Sequence, residues 1–156
     1  MADQIAQKAG KLASIIRVAR TNPVVRTLAM KIIQGVLGGP GVPEFGYEQE
    51  VDAIHTWVRD NIRYTRDPVR DDLFENPLWT LKVGAGDCDA MTTLEGSLLE
   101  SIGSPVRVKT VSYDGSEFTH VYLLGGSSWK PLDPTLPHEP PGMERPYRKA
   151  RVFSVE

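Results

Sequence analysis

The one cysteine of the chain, Cys88, lies in Gly86-Asp87-Cys88-Asp89, and a helical pattern begins directly behind it. Met91, Leu94, Leu98 and Ile102 recur at the spacing of a helix that stops at Gly103, so Asp87 reads as its N-cap and Cys88 as its first residue. Unpaired amides at a helix start carry partial positive charge, which favours a thiolate. The glycines before Cys88 let the backbone turn sharply and leave the sulfur unshielded. Asp87 and Asp89 oppose a second negative charge, so a thiolate here needs a nearby cation. His120, inside the run Phe118 to Leu124, is the candidate, and Asp133, 13 residues later, can accept its imidazole N–H and fix the tautomer. A nucleophile, a base and an orienting carboxylate suit covalent attack on an acyl carbon. Taken singly, each has a plainer reading: a buried thiol as a small hydrophobe, a strand histidine as a partly exposed polar residue, Asp-Pro-Thr as a turn.

The rest of the composition narrows the chemistry. One cysteine in 156 residues excludes an internal disulfide framework and any site built from several thiolates. His55, His120 and His138 are widely spaced and form no H-E-x-x-H pair, so neither a metal nor a cofactor is expected. No apolar run approaches the roughly 20 residues of a membrane span, and no secretory signal opens the chain, so a soluble cytoplasmic protein is expected. The net charge of −2 hides an asymmetry: residues 1–36 carry six basic side chains against Asp3 alone, so the remainder is acidic. Such a segment can meet acidic lipid, nucleic acid or the acidic body of its own chain; the last needs no partner and is preferred. Nucleic acid is the weakest of these readings, because the charges are spread around helices rather than clustered with aromatic residues.

The elements that must position these residues follow from periodicity. Ile5, Ala9, Leu12, Ile15, Ile16 and Ala19 predict an amphipathic helix over about residues 3–20. Asn22-Pro23 starts a second helix, running to Val36 and stopped at Gly38-Gly39-Pro40. The two form a basic helical hairpin over residues 1–38, either packed on the body or offered to a protein partner through residues 1–36. Residues 38–43 read as a linker, and Val51, Ile54, Val58 and Ile62 as a helix over about 47–62, with Trp57 beside the stripe. Residues 63–86 read as irregular, with Asp67-Pro68 and Asn76-Pro77 as breakers and Gly84-Ala85-Gly86 as a turn that lacks the lysine of a phosphate loop. Three strands follow, Val106 to Val111, Phe118 to Leu124 and Trp129 to Asp133, as an antiparallel meander. From Pro134 on, the prolines forbid regular structure and predict an extended surface segment with a basic tail, Arg145 to Arg151. The expected division is 1–38, a core at 44–135 and a Pro-rich segment at 136–156, all in one compact unit.

Four ordered blocks carry a family resemblance: Gly86-Asp87-Cys88-Asp89; Gly103-Ser104-Pro105-Val106-Arg107-Val108; His120-Val121-Tyr122; and Trp129-Lys130-Pro131-Leu132-Asp133-Pro134-Thr135. Together they resemble the transglutaminase-like superfamily of papain-fold cysteine enzymes, and Ile62-Arg63-Tyr64-Thr65-Arg66-Asp67-Pro68 with Thr80-Leu81 matches its usual lead-in. The resemblance covers about residues 47–135. It implies an α+β fold with a catalytic helix packed on an antiparallel β-sheet. It implies Cys88 as nucleophile, His120 as general base and acid, and Asp133 as orienter. The implied chemistry is acyl transfer from a carboxamide or peptide bond through a thioester, with water or an amine as acceptor: a protease, deamidase or transglutaminase-type activity on a peptide or protein. Small stand-alone members also occur in phage and prophage gene sets. Where the family often has H-A-W, this chain has His120-Val121-Tyr122, and Tyr122 is expected on the face of that aromatic residue. The oxyanion donors would be the Cys88 backbone N–H and a side chain such as Trp79 or Asn76, with Trp79 alternatively plain core packing. The competing reading, from a different class, is a structural or interaction protein that keeps the fold and uses its N-terminal helices to bind a partner.

Overall fold

The structure, a computed structural model, describes residues 2–39, 41–44, 46–66 and 76–156. The expected breaker Asp67-Pro68, which also ends the lead-in block, and Pro40 of the expected linker lie outside the described residues.

Helix α1 (Ala2–Ala19) buries Ala9, Leu12 and Ile16 completely, in one core with Leu94 and Leu98. Helix α2 (Pro23–Ile33) starts where Asn22 accepts a hydrogen bond from the Val24 amide at 2.8 Å and Pro23 supplies the preset first turn. It ends three residues before Val36, because Gln34 caps it and Gly35, at φ +75°, turns the chain where a Cβ would meet the Gly39 carbonyl oxygen at 2.7 Å. The basic side chains of this hairpin find the acidic body of the same chain. Lys8 pairs with Asp89 at 3.1 Å, Arg20 with Glu100 at 2.8 Å, and Arg26 donates to the Ser101 carbonyl at 2.9 Å. Helix α3 (Tyr47–Asn61) buries Val51, Ile54, His55 and Val58.

Residues 63–66 and 76–86 are more ordered than their sequence suggested. Strand β1 (Arg63–Tyr64) pairs in parallel with β2 (Ala85–Gly86), and α4 (Pro77–Val83) lies between them. Asn76-Pro77, read as a breaker, is instead a helix start: Asn76 Oδ1 accepts from the Leu78 amide at 3.0 Å. Gly84 closes α4 in the left-handed region at φ 74°, so the expected turn is a helix cap running into a short strand.

Helix α5 (Cys88–Ser101) is buried on nearly every face, from Ala90 and Met91 to Leu98, Leu99 and the polar Thr92, Thr93 and Ser97. Its hydroxyls bond to backbone carbonyls, and Thr92 reaches across to Val121 O at 3.3 Å, tying the helix to the sheet. At Gly96 a Cβ would meet Ile16 Cδ1 at 2.6 Å, so glycine permits the close approach of α1.

The sheet has four strands in the order β5-β4-β3-β6: β3 (Arg107–Ser112), β4 (His120–Gly125), β5 (Lys130–Leu132) and β6 (Lys149–Ser154). All neighbours are antiparallel, with Val111 opposite His120 and Leu123 opposite Leu132. The expected three-stranded meander is thus extended by the tail, which pairs Ala150 with Val111 and Phe153 with Val108. The prolines stop at Pro146, and the proline-free Lys149–Ser154 has donors for every rung of the β3 edge.

Candidate active site

The site is assembled at the N-terminus of α5 from four separate parts of the chain. Asp87 caps the helix, accepting from the Ala90 amide at 2.9 Å, and Cys88 is the first helical residue. The short β1–β2 pair holds the approach to it, with Arg63 N donating to Gly84 O and Thr65 N to Gly86 O, both at 2.9 Å. A Cβ on Gly86 would meet the Ala90 Cβ at 2.7 Å, so the chain needs glycine to pass this close to the helix start.

His120 opens β4, and Asp133 follows the last residue of β5. Adjacent strands therefore present the two side chains together: His120 Nε2 lies 2.8 Å from Asp133 Oδ2. The carboxylate is deeply buried, and its other oxygen accepts from Thr135 Oγ1 at 2.7 Å and the Thr135 amide at 3.1 Å. Thr135 was not singled out from sequence, although Asp-x-Thr is the spacing at which a side-chain oxygen folds back on the backbone two residues on. Tyr122 stands two residues along β4 from His120, its ring centroid 5.6 Å from the imidazole, and its hydroxyl donates to Glu144. It occupies the face expected for the family's aromatic residue. Tyr113 also stacks on the imidazole, with ring centroids 6.2 Å apart.

Cys88 and His120 line one open cavity of about 1020 Å³, together with Asp87, Tyr113 and Thr135. Asn76 and Trp79 do not line it: Asn76 caps α4, and Trp79 is half-buried with Lys82 over its ring at 5.7 Å. The electrostatics of the thiol differ from the helix-start expectation. Burial, followed by the charge of Asp89, pushes the Cys88 thiol up to about 12, while Lys8 and a backbone hydrogen bond from Val121 pull the other way. The thiol donates weakly to Asp89 Oδ1 at 3.7 Å. The helix-start amides therefore lose to desolvation, and the resting sulfur carries its proton. Lys8 was read as part of a separate hairpin, yet it offsets the Asp89 charge beside the sulfur. Among the described residues, no group of three or more His, Cys, Asp or Glu side chains could hold a metal ion, and no helix is long and apolar enough to cross a membrane.

These features define an α+β fold in which a helix-start cysteine and a strand histidine share a cavity. The chain belongs to the transglutaminase-like superfamily, whose family model matches residues 31–134. The fold is also that of a putative cysteine protease from Cytophaga hutchinsonii, at 19% identity and TM-score 0.52, covering 71% of this chain and 37% of the other. A putative protease from Parabacteroides distasonis matches at 16% identity and TM-score 0.58, over 95% of this chain and 29% of the other. The chain thus spans about a third of the length of these two structures. A search of curated proteins finds no significant match.

Proposed function

We propose that the protein is a cysteine-dependent amide hydrolase or acyltransferase that works through a thioester, with Cys88 as nucleophile, His120 as base and then acid, and Asp133 as orienter. One observation carries this reading: His120 shares a cavity with Cys88 while its Nε2 is engaged by Asp133 at 2.8 Å. In the neutral ring Nε2–H donates to that carboxylate, which leaves the Nδ1 lone pair to take a proton.

The Sγ proton passes to Nδ1 as the sulfur bonds to the acyl carbon. The resulting oxyanion is met by the Cys88 N–H, one of the amides a helix start leaves without an intrahelical partner. Collapse breaks the C–N bond, Nδ1–H returns the proton to the leaving amine, and a thioester remains. Water or an amine, giving its proton to His120, then attacks the thioester and releases Cys88 as a thiol. Because burial and Asp89 hold the thiol up to about 12, proton transfer accompanies bond formation instead of preceding it. The description of both structural neighbours as putative proteases supports hydrolysis over cross-linking.

The test is alkylation of Cys88 by iodoacetamide across pH, in the native protein and in His120→Ala. With the histidine as base, the native rate levels off, whereas the variant's rate climbs about tenfold per pH unit up to the thiol's own titration. Identical profiles would remove the catalytic reading. Ammonia release from glutamine peptides, measured beside peptide cleavage, separates deamidation and transamidation from proteolysis.

A further inference from the structure

Among the described residues, the wall of the cavity that holds Cys88 and His120 carries four arginines, Arg59, Arg63, Arg66 and Arg145, against two aspartates, Asp60 and Asp87. Arg59 is spent: its guanidinium donates to both oxygens of Asp60, at 2.8 and 3.2 Å, and to the Glu139 carbonyl at 2.6 Å. Asp87 is the helix cap. Asp89, beside the sulfur, is paired with Lys8, and Asp133 is held by His120 and Thr135. Arg63, Arg66 and Arg145 remain exposed and without an ion pair or hydrogen bond among the described residues. With these described acidic groups each engaged and three arginines open to solvent, the cleft presents a positive field to whatever approaches the sulfur.

The backbone fixes where these charges stand. Arg63 is in the two-residue strand that pairs with Ala85–Gly86, and Arg66 follows one residue after Thr65 bonds Gly86 O. Both are therefore anchored beside the turn that presents Cys88. Arg145 comes from a separate part of the chain, the segment that crosses from β5 to β6. Its neighbour Glu144 is gripped by Lys109 at 2.9 Å and by the Tyr122 hydroxyl. Arg145 lines the same cavity as Tyr113, Cys88 and His120, which brings its charge to the site of the reacting groups. Arginine keeps its charge at every working pH and grips carboxylates through paired N–H groups.

We propose that the substrate is an acidic peptide, with carboxylates flanking the amide that Cys88 attacks, held by Arg63, Arg66 and Arg145. This deepens the acyl-transfer reading and rests on it for the word substrate. The charge selectivity itself can be measured without turnover.

Cys88 is the only thiol, so it reports the field directly. In either alkylation the sulfur displaces iodide and its proton leaves to base, but iodoacetate is an anion and iodoacetamide is neutral. The rate ratio of iodoacetate to iodoacetamide, divided by the same ratio for free cysteine, should exceed one at low salt and fall toward one at high salt. Each of Arg63→Gln, Arg66→Gln and Arg145→Gln should lower it by about two- to threefold, the effect of one charge roughly 8 Å away in water. Lys31→Gln, on the exposed face of α2, should leave it unchanged. A normalised ratio at or below one in the native protein, or one unmoved by the three arginine variants, overturns the proposal. As a second measurement, a folded Cys88→Ala protein should bind a glutamate-bearing peptide more tightly than its glutamine counterpart, with a preference that salt removes. Equal binding also overturns it. A ratio above one with matching pH profiles for native protein and His120→Ala would instead retain the anion-attracting cleft and remove the catalytic reading, so the two failures are distinguishable.

Discussion

Two histidine–carboxylate pairs of nearly equal length lie within electrostatic reach of each other, the Asp133 charge acting on both His55 and Glu95. His120 Nε2 lies 2.8 Å from Asp133, and His55 Nδ1 lies 2.7 Å from Glu95, the latter on the helix that begins with Cys88. Their surroundings separate them. The His120 side chain is 10% exposed and opens on the cavity of Cys88, while Asp133 has its second oxygen satisfied by Thr135. His55 and Glu95 are 2% and 0% exposed, sealed between α3 and α5, and Glu95 Oε2 has no hydrogen-bond partner among the described residues. A short contact between imidazole and carboxylate is therefore not in itself a functional signature. The first pair faces a cavity and a nucleophile; the second faces only the core, where burial dominates. Burial pushes the Glu95 carboxyl up despite His55, and the facing carboxylate more than offsets burial at His55 and holds it above its ordinary value. The inner pair thus keeps a proton that the unfolded chain releases sooner.

The comparison can be broken at its chemistry first. His120→Ala should slow iodoacetamide alkylation of Cys88 near neutral pH by roughly two to four orders of magnitude, the usual scale of a positioned base. Loss of His55 should leave the pH profile of that reaction intact. Stability should show the reverse order. His55→Ala leaves a carboxyl stranded in the core and should cost about 3–5 kcal/mol in urea unfolding, whereas replacing both partners by apolar residues, His55→Leu with Glu95→Met, should restore most of it. A His120→Ala loss as large as that of His55→Ala would erase the distinction.

Titration sharpens the same contrast. Because His55 is raised in the folded chain, its contribution is complete below the ordinary histidine value of about 6.5 and is lost as pH rises through the raised one. The urea midpoint should therefore fall between pH 6 and pH 9, and the apolar double variant should lose this slope. The smallest effect is expected at Thr135→Val. It removes one hydrogen bond to Asp133 while the Thr135 amide still donates, so alkylation should slow by only about three- to tenfold, near 1 kcal/mol, with the free energy of urea unfolding changed by no more than about 1 kcal/mol.

Much of the fold could be read from local pattern. Asn22-Pro23, the apolar spacing behind Cys88 and the alternation from Val106 to Leu124 each encode an element by short-range rules, and each element is present. Asn76-Pro77 carries the same capping signal as Asn22-Pro23, yet its seven-residue helix is too short to show a hydrophobic period. Strand β6 was hidden because a proline-rich stretch precedes it and because its partner β3 lies some forty residues upstream, where no local rule reaches. Lys8 was legible as a basic residue on a helix, but its pairing with Asp89 depends on how α1 lies across α5.

By itself the sequence determined which groups are available: one thiol at a helix start, a strand histidine, a carboxylate one strand further, and the order that marks the superfamily. Only the tertiary structure decided their electrostatic state. Helix-start amides act over a single turn and favour a thiolate, but the sheet and α1 remove water from the sulfur, and this burial adds to the Asp89 charge that the sequence already places next to it, so the thiol rests protonated. Tertiary packing likewise separated His120 from His55, because access to a cavity and isolation in a core are properties of the surroundings, which residue type and spacing do not encode.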